Sequence, residues 1–177
     1  ANNTGRNLRT TNVTFKAVGV EDVVRVVNQA GKPEFATFAN SSAAADKTGG
    51  TLTLSGTSNS SELTFSLGTD NIGLTLPESY TAAGVSTVNG AAISGDPGAT
   101  QEFNCSIQFT IPANTGVQPK TCQVVVTDDA GHTNTCTITL AGADATLSVS
   151  PNSVEIPWDG ATSASFTVTS NTNWTVE

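Results

Sequence analysis

The chain has 177 residues, a net charge of −8 and a sequence pI near 4.4. An acidic surface repels phosphate backbones, which argues against a nucleic-acid partner, and no apolar run approaches the ~20 residues of a membrane helix. Only 12% of residues are charged, so the polarity comes from Thr, Ser and Asn, a mixture that suits half-wet strands and the turns between them rather than a charged disordered tail.

In chain order, 3–31 (NTGRNLRTTNVTFKAVGVEDVVRVVNQAG) reads as a turn followed by a hairpin. The SSAAAD run at 41–46 has room for one helical turn at most. Strands with one apolar face follow at 51–55 (TLTLS) and 62–67 (ELTFSL). A long link, 80–98, ends on Asp96-Pro97-Gly98. Further alternating strands lie at 103–111, 122–126 and 135–140, punctuated by Asn114-Thr115-Gly116 and Asp129-Ala130-Gly131. The last two, 146–150 and 165–170, flank Asp159-Gly160. Short strands with regular turns and no sustained helical period predict an all-β protein built as a β-sandwich.

The stretch 114–142 repeats 3–31 at an offset of 111 residues, Asn3 falling on Asn114. Thr4, Gly5, Thr10, Val13, Ala30 and Gly31 then meet identical residues. The hairpin tip, AVGVE against DAGH, is the least similar part, as an exposed tip should be. A second match places Thr57-Ser58-Asn59 on Thr169-Ser170-Asn171, one residue out of step with the first. The expected organisation is the C-terminal strands of one unit (1–32), a complete unit (33–142) and the N-terminal strands of a third (143–177). Segments as short as the first and third cannot each bury a core. The reading is therefore a window into a longer polypeptide, with strand exchange between subunits as the alternative. Ala1 is not preceded by a charged n-region or an apolar h-region, which fits a removed signal peptide or numbering that starts inside a longer chain.

Chemistry-bearing residues are few. Cys105, Cys122 and Cys136 share parity with apolar neighbours and read as small buried hydrophobes. A Cys122–Cys136 bridge would be diagonal across its hairpin, a poor geometry for a disulfide. His132 falls in a hairpin tip. Glu62, Glu78, Glu102, Asp128 and Asp129 are scattered, and no pair is nominated for glycoside hydrolysis. No spaced carboxylate run predicts calcium, and no Cys-x-x-Cys pair predicts zinc, so no metal and no cofactor is expected. Arg25 falls at an inward position of its strand, which implies either a cation that snorkels at the strand end or the opposite parity for that strand. Two aromatic residues are candidates for stacking on a sugar ring: Trp158, in a Pro-Trp-Asp-Gly turn, and Tyr80, in the long link.

Three features together resemble one family. They are the LSVSPNSVEIPWDG lead-in followed by TSNTNWTV, the IPANTGVQPKTCQVVVTDDAG crossover and hairpin, and the VVRVVNQAG ending. These look like the BACON-type immunoglobulin-like domain of secreted and surface proteins of Bacteroidetes and some of their phages. The matching residues are Leu147, Ser150, Pro151, Gly160, Ser170, Asn171 and Trp174 in the third unit, Asn114, Thr115 and Gly116 in the second, and Gln29, Ala30 and Gly31 in the first. The complete unit departs from the pattern with Leu63 at the tryptophan position, Leu140 opposite Gln29, and the extra link at 80–98. The resemblance implies an immunoglobulin-like fold and a packing role for Trp174. Its implied setting is the cell surface or a phage virion, as a non-catalytic stalk, fibre or adhesion module. The partners expected are neighbouring domains or subunits, with glycans as the alternative, and neither nucleic acid nor a membrane-spanning segment.

Overall fold

The computed structural model describes residues 1–160 and 163–177. The chain is all-β, and no helix occurs among the described residues. Strand β1 (Arg9–Phe15) pairs antiparallel with β2 (Val23–Gln29), in register from Arg9↔Gln29 to Phe15↔Val23. Both faces of this hairpin are exposed.

Nine strands between Ala36 and Leu140 form two sheets. They are β3 (Ala36–Phe38), β4 (Ser42–Ala45), β5 (Gly50–Ser58), β6 (Leu63–Asp70), β7 (Ser79–Ala82), β8 (Val85–Val88), β9 (Phe103–Ile111), β10 (Lys120–Asp128) and β11 (Thr133–Leu140). One sheet runs β4-β11-β10-β6, and the other β3-β5-β9-β7-β8. Strand β9 buries Phe103, Cys105, Ile107, Phe109 and Ile111 and turns the residues between them outward, the alternation that a half-wet sheet demands. Inward residues of both sheets merge into one hydrophobic cluster around Leu63, Phe65, Phe109, Val124 and Ile138, as in a β-sandwich. The Phe65 ring packs against Tyr80 (centroids 4.9 Å apart) and Phe38 (6.2 Å). Beyond the sandwich, β12 (Leu147–Ser150) pairs antiparallel with β13 (Thr167–Ser170).

Two local expectations change. The segment read as one helical turn is β4, an edge strand that pairs in parallel with β11 from Thr137↔Ser42 to Leu140↔Ala45. Ala43 and Ala45 pack against the core, so tertiary pairing overrides the helical preference of alanine. The link at 80–98 is not irregular throughout: Ser79–Ala82 and Val85–Val88 form a hairpin. Its two-residue turn holds Ala83 at φ 50° and Gly84 at φ 80°, the left-handed pair that a tight hairpin of this hand requires.

Arg25 stands opposite Val13 on the hairpin and donates from Nη1 to the Val24 carbonyl (3.0 Å). It is exposed, so no inward cation has to be accommodated.

Two asparagines tie the strand ends together in the same way 111 residues apart. Asn114, nearly buried, donates from Nδ2 to the Gln118 carbonyl (2.8 Å) and the Ala141 carbonyl (3.0 Å), and its Oδ1 accepts from Gly116 N–H (3.2 Å). Asn3 donates to the Asn7 carbonyl (2.8 Å) and the Ala30 carbonyl (3.0 Å), and accepts from Gly5 N–H (3.1 Å). Backbone bonds Lys32 N–H to Gly5 O and Ala143 N–H to Gly116 O, both 2.8 Å, close the two crossovers. The hairpin registers match as well, since Lys120 faces Leu140 just as Arg9 faces Gln29.

A second asparagine pair does the same at the other end. Asn59 Oδ1 accepts from Phe35 N–H (2.9 Å) and its Nδ2 donates to the Pro33 carbonyl (3.0 Å). Asn171 Oδ1 accepts from Thr146 N–H (2.8 Å) and its Nδ2 donates to the Asp144 carbonyl (2.8 Å). Ser58 Oγ bonds the Phe35 carbonyl (2.7 Å) as Ser170 Oγ bonds that of Thr146 (2.8 Å). Strands β3–β5 and β12–β13 share this register too, with Ala36 opposite Ser58 and Leu147 opposite Ser170.

Candidate functional site

The two aromatic candidates part company. Trp158 lies in a turn closed by Gly160 N–H to the Pro157 carbonyl (3.0 Å), and its ring is fully solvent-facing at 99% exposure. Proline fixes the turn and glycine takes φ 64°, so the intervening indole stands clear of the backbone. Tyr80, by contrast, is a core residue at 3% exposure. It sits at an inward position of β7, and its hydroxyl accepts from Leu63 N–H (3.3 Å). Burial pushes its phenol up to about 12. The expectation that Tyr80 offers a ring to a ligand is therefore corrected: β7 alternates Ser-Tyr-Thr-Ala, and its apolar members face the core. The two residues do not form a common surface, since one is buried. Trp174, expected to pack, is half exposed.

The β10–β11 tip is organised by Asp128, whose side chain is buried. Its carboxylate accepts from His132 N–H (2.8 Å) and lies 2.8 Å from His132 Nδ1, while the ring itself stays mostly exposed. Asp128 thus serves as a turn cap. Asp129 accepts from Ser61 Oγ (2.8 Å). The remaining carboxylates named above are held apart on different elements: Glu62 bridges to Ala92 at the start of β6, Glu78 precedes β7 and Glu102 precedes β9. Among the described residues no group of three or more His, Cys, Asp or Glu side chains is placed to hold a metal ion, and no helix is long and apolar enough to cross a membrane.

All three thiols are free and buried. Cys122 faces Ile138 and Cys136 faces Val124, so the two are diagonal across the hairpin. Burial raises each thiol's pKa, that of Cys105 to about 11 and that of Cys122, which also faces the Asp70 carboxylate, to about 12. The thiolate is the reactive form, so at pH 8 the native protein should leave a disulfide reagent such as DTNB nearly unconsumed, and three thiols per chain should titrate on unfolding. Fast modification of the native protein would contradict this burial.

The outward face of the five-stranded sheet carries hydroxyls and amides. A shallow groove of about 570 Å³ on it is lined by Ser55, Thr57, Thr81, Asn104 and Ser106, with small residues between them. No charged or aromatic side chain lines it, so it offers hydrogen bonds without a group to drive chemistry or to stack a ring.

Sequence reasoning missed two features. One is the buried run Ser58-Asn59-Ser60. The other is the seat of Arg6, whose guanidinium reaches Asp96, 90 residues away. The Thr-Ser-Asn match between 57–59 and 169–171 was the available signal for the first, because a repeated asparagine marks a repeated backbone need. Neither a protein-family model nor a curated protein matches this chain.

Proposed function

We propose that the chain is a run of tandem immunoglobulin-like units of the BACON type, acting as a non-catalytic structural stalk, fibre or adhesion module of a large surface-exposed extracellular protein. The observation that carries this reading is the reuse of the asparagine ties. Asn3 and Asn114 make equivalent bonds in hairpins of equal register, and Asn59 and Asn171 do so at the opposite edge of the unit. Equivalent bonds at a near-constant spacing are what a module copied along a chain produces. The hairpins at the two ends and the residues flanking them expose large apolar side chains, including Phe15, Val26, Leu147 and Phe166. The counterparts of Phe15, Leu147 and Phe166 in the central sandwich, Val126, Ala36 and Leu54, are buried, and a longer array supplies that cover at each end. The same domain in a phage fibre or tail would serve attachment on the same physical terms.

A second reading, a carbohydrate-binding module of a polysaccharide-utilisation protein, rests on Trp158. A fully exposed indole on a rigid turn is the kind of surface on which a sugar ring stacks. Retention on a panel of immobilised polysaccharides separates the two. The structural reading expects no retention of the chain and no change with Trp158→Ala. Retention that Trp158→Ala abolishes would overturn it in favour of glycan binding.

A further inference from the structure

Arg6 belongs to the turn before β1, yet all its side-chain bonds are to the central sandwich. Nη1 and Nη2 donate to the two oxygens of Asp96 (2.7 and 2.8 Å), a bidentate pair. Nε and Nη2 also donate to the Asn59 carbonyl (3.1 and 2.6 Å), and Nε lies 3.5 Å from Glu34 Oε2. The three charged side chains are largely covered, at 17, 22 and 9% exposure for Arg6, Asp96 and Glu34.

The seat is also held by bonds that do not involve the arginine. Asp96 Oδ1 accepts from Gly98 N–H (3.0 Å), Glu34 Oε2 accepts from Ser61 N–H (3.3 Å), and Asn59 is held by its bonds to Pro33, Phe35 and Ala99. A guanidinium suits it because its planar fork meets a carboxylate and a carbonyl at once, which a lysine ammonium cannot do. The hydrogen bond from Arg6 also holds the Asp96 carboxyl below the usual carboxylate range.

The next crossover lacks this chemistry. At the repeat offset of 111, Arg6 corresponds to Val117 and Glu34 to Ala145. Arg6 and Glu34, 3.5 Å apart across the joint, are replaced by apolar residues together. Loss of the arginine alone would leave the Glu34 carboxylate without its cation, so the paired change fits two positions that answer to each other.

We propose that the end of the central sandwich formed by Glu34, Asn59 and Asp96 is a receptor for an arginine-bearing Asn-Thr-Gly-Arg turn of the unit before it, and that this contact fixes the angle of that joint. This rests on the tandem reading for the identity of the partner as a neighbouring unit. A turn bearing valine, such as that at Val117, would leave two carboxylates without a countercharge and the Asn59 carbonyl without its guanidinium donors. The joint therefore selects its neighbour by charge as well as holding it.

Spin labels at Val18→Cys in the hairpin tip and Thr110→Cys on β9, both exposed sites, read the joint by pulsed EPR on the whole chain. The three native thiols are buried. The expected result is one narrow distance distribution, broadened about two-fold or more by Arg6→Val and narrowed again in the reciprocal pair Arg6→Asp with Asp96→Arg. The melting temperature of the central sandwich should hold in Arg6→Val, because Arg6 lies outside it. A broad distribution in the unaltered chain overturns the proposal. A width indifferent to Arg6→Val, or no recovery in the reciprocal pair, also overturns it. The tandem reading stands or falls separately, on how many such units the parent polypeptide carries.

Discussion

Gly142→Ala is expected to destabilise the central sandwich by about 3 kcal/mol, at the upper end of what forced overpacking costs. A Cβ at this position would lie 2.1 Å from the Val117 carbonyl oxygen and 2.6 Å from its carbon. Both are backbone atoms and cannot swing aside. They are fixed by the Asn114 bond to the Gln118 carbonyl and by Ala143 N–H to Gly116 O. The crossover would have to open, releasing bonds that close β10 and β11 at their common end. Gly31→Ala makes the same clash, 1.9 Å from the Arg6 carbonyl oxygen, but in the outer hairpin. Thermal melting should separate the two. Gly142→Ala should lower the main transition by roughly ten degrees or more, and Gly31→Ala should leave it in place. Equal shifts would mean that the hairpin and the sandwich melt as one body.

Asn59→Ala should cost about as much, for a different reason. Asn59 is fully buried and its side chain makes three bonds: to the Pro33 carbonyl, to the Ala99 carbonyl and from Phe35 N–H. Alanine leaves three backbone groups without this partner, one of them buried and two half-buried, and a fully buried one costs about 1–3 kcal/mol when orphaned. Water reaching the edge of the sandwich offsets part of this, so about 3 kcal/mol is expected. Asn59→Asp should be worse than Asn59→Ala, because a carboxylate turns both donated bonds into contacts between a buried negative charge and carbonyl oxygens. Urea unfolding reads both variants as a lower midpoint at unchanged slope. A midpoint within a few tenths of a molar of the unaltered protein would show that the three bonds are dispensable.

Much of the sandwich was legible because its strands alternate. Phe103 to Ile111 and Cys122 to Val126 announce their buried faces directly, since one side of each strand meets the core and the other meets water. The repeat was legible for a related reason. A backbone crossover that needs an asparagine to bond two carbonyls needs it in every copy, so Asn3 and Asn114 stand out in the sequence before their bonds are known. Strand β4 was hidden because Ser-Ala-Ala-Ala carries no strand preference, and only its pairing with β11 makes it one. Tyr80 alternates with Ala82, but it stands in a link longer than the family pattern, whose residues form a hairpin that adds two strands at the edge of the five-stranded sheet. Arg6 could not be placed from sequence, because its partners are 53 and 90 residues away and nothing local marks them. Trp158 was readable, since Pro-Trp-Asp-Gly can hardly fold except as a turn with its side chain outside.

The central claim is that the 33–142 sandwich is one member of an array. The intact mass of the polypeptide that carries this sequence in its source tests it most directly. The account predicts a mass well above 18.0 kDa, rising by about one unit's mass for each added repeat, with Asn-Thr-Gly turns recurring in the added chain. A mass at 18.0 kDa would contradict it, since the exposed hairpins would then have no further units of their own chain to complete them.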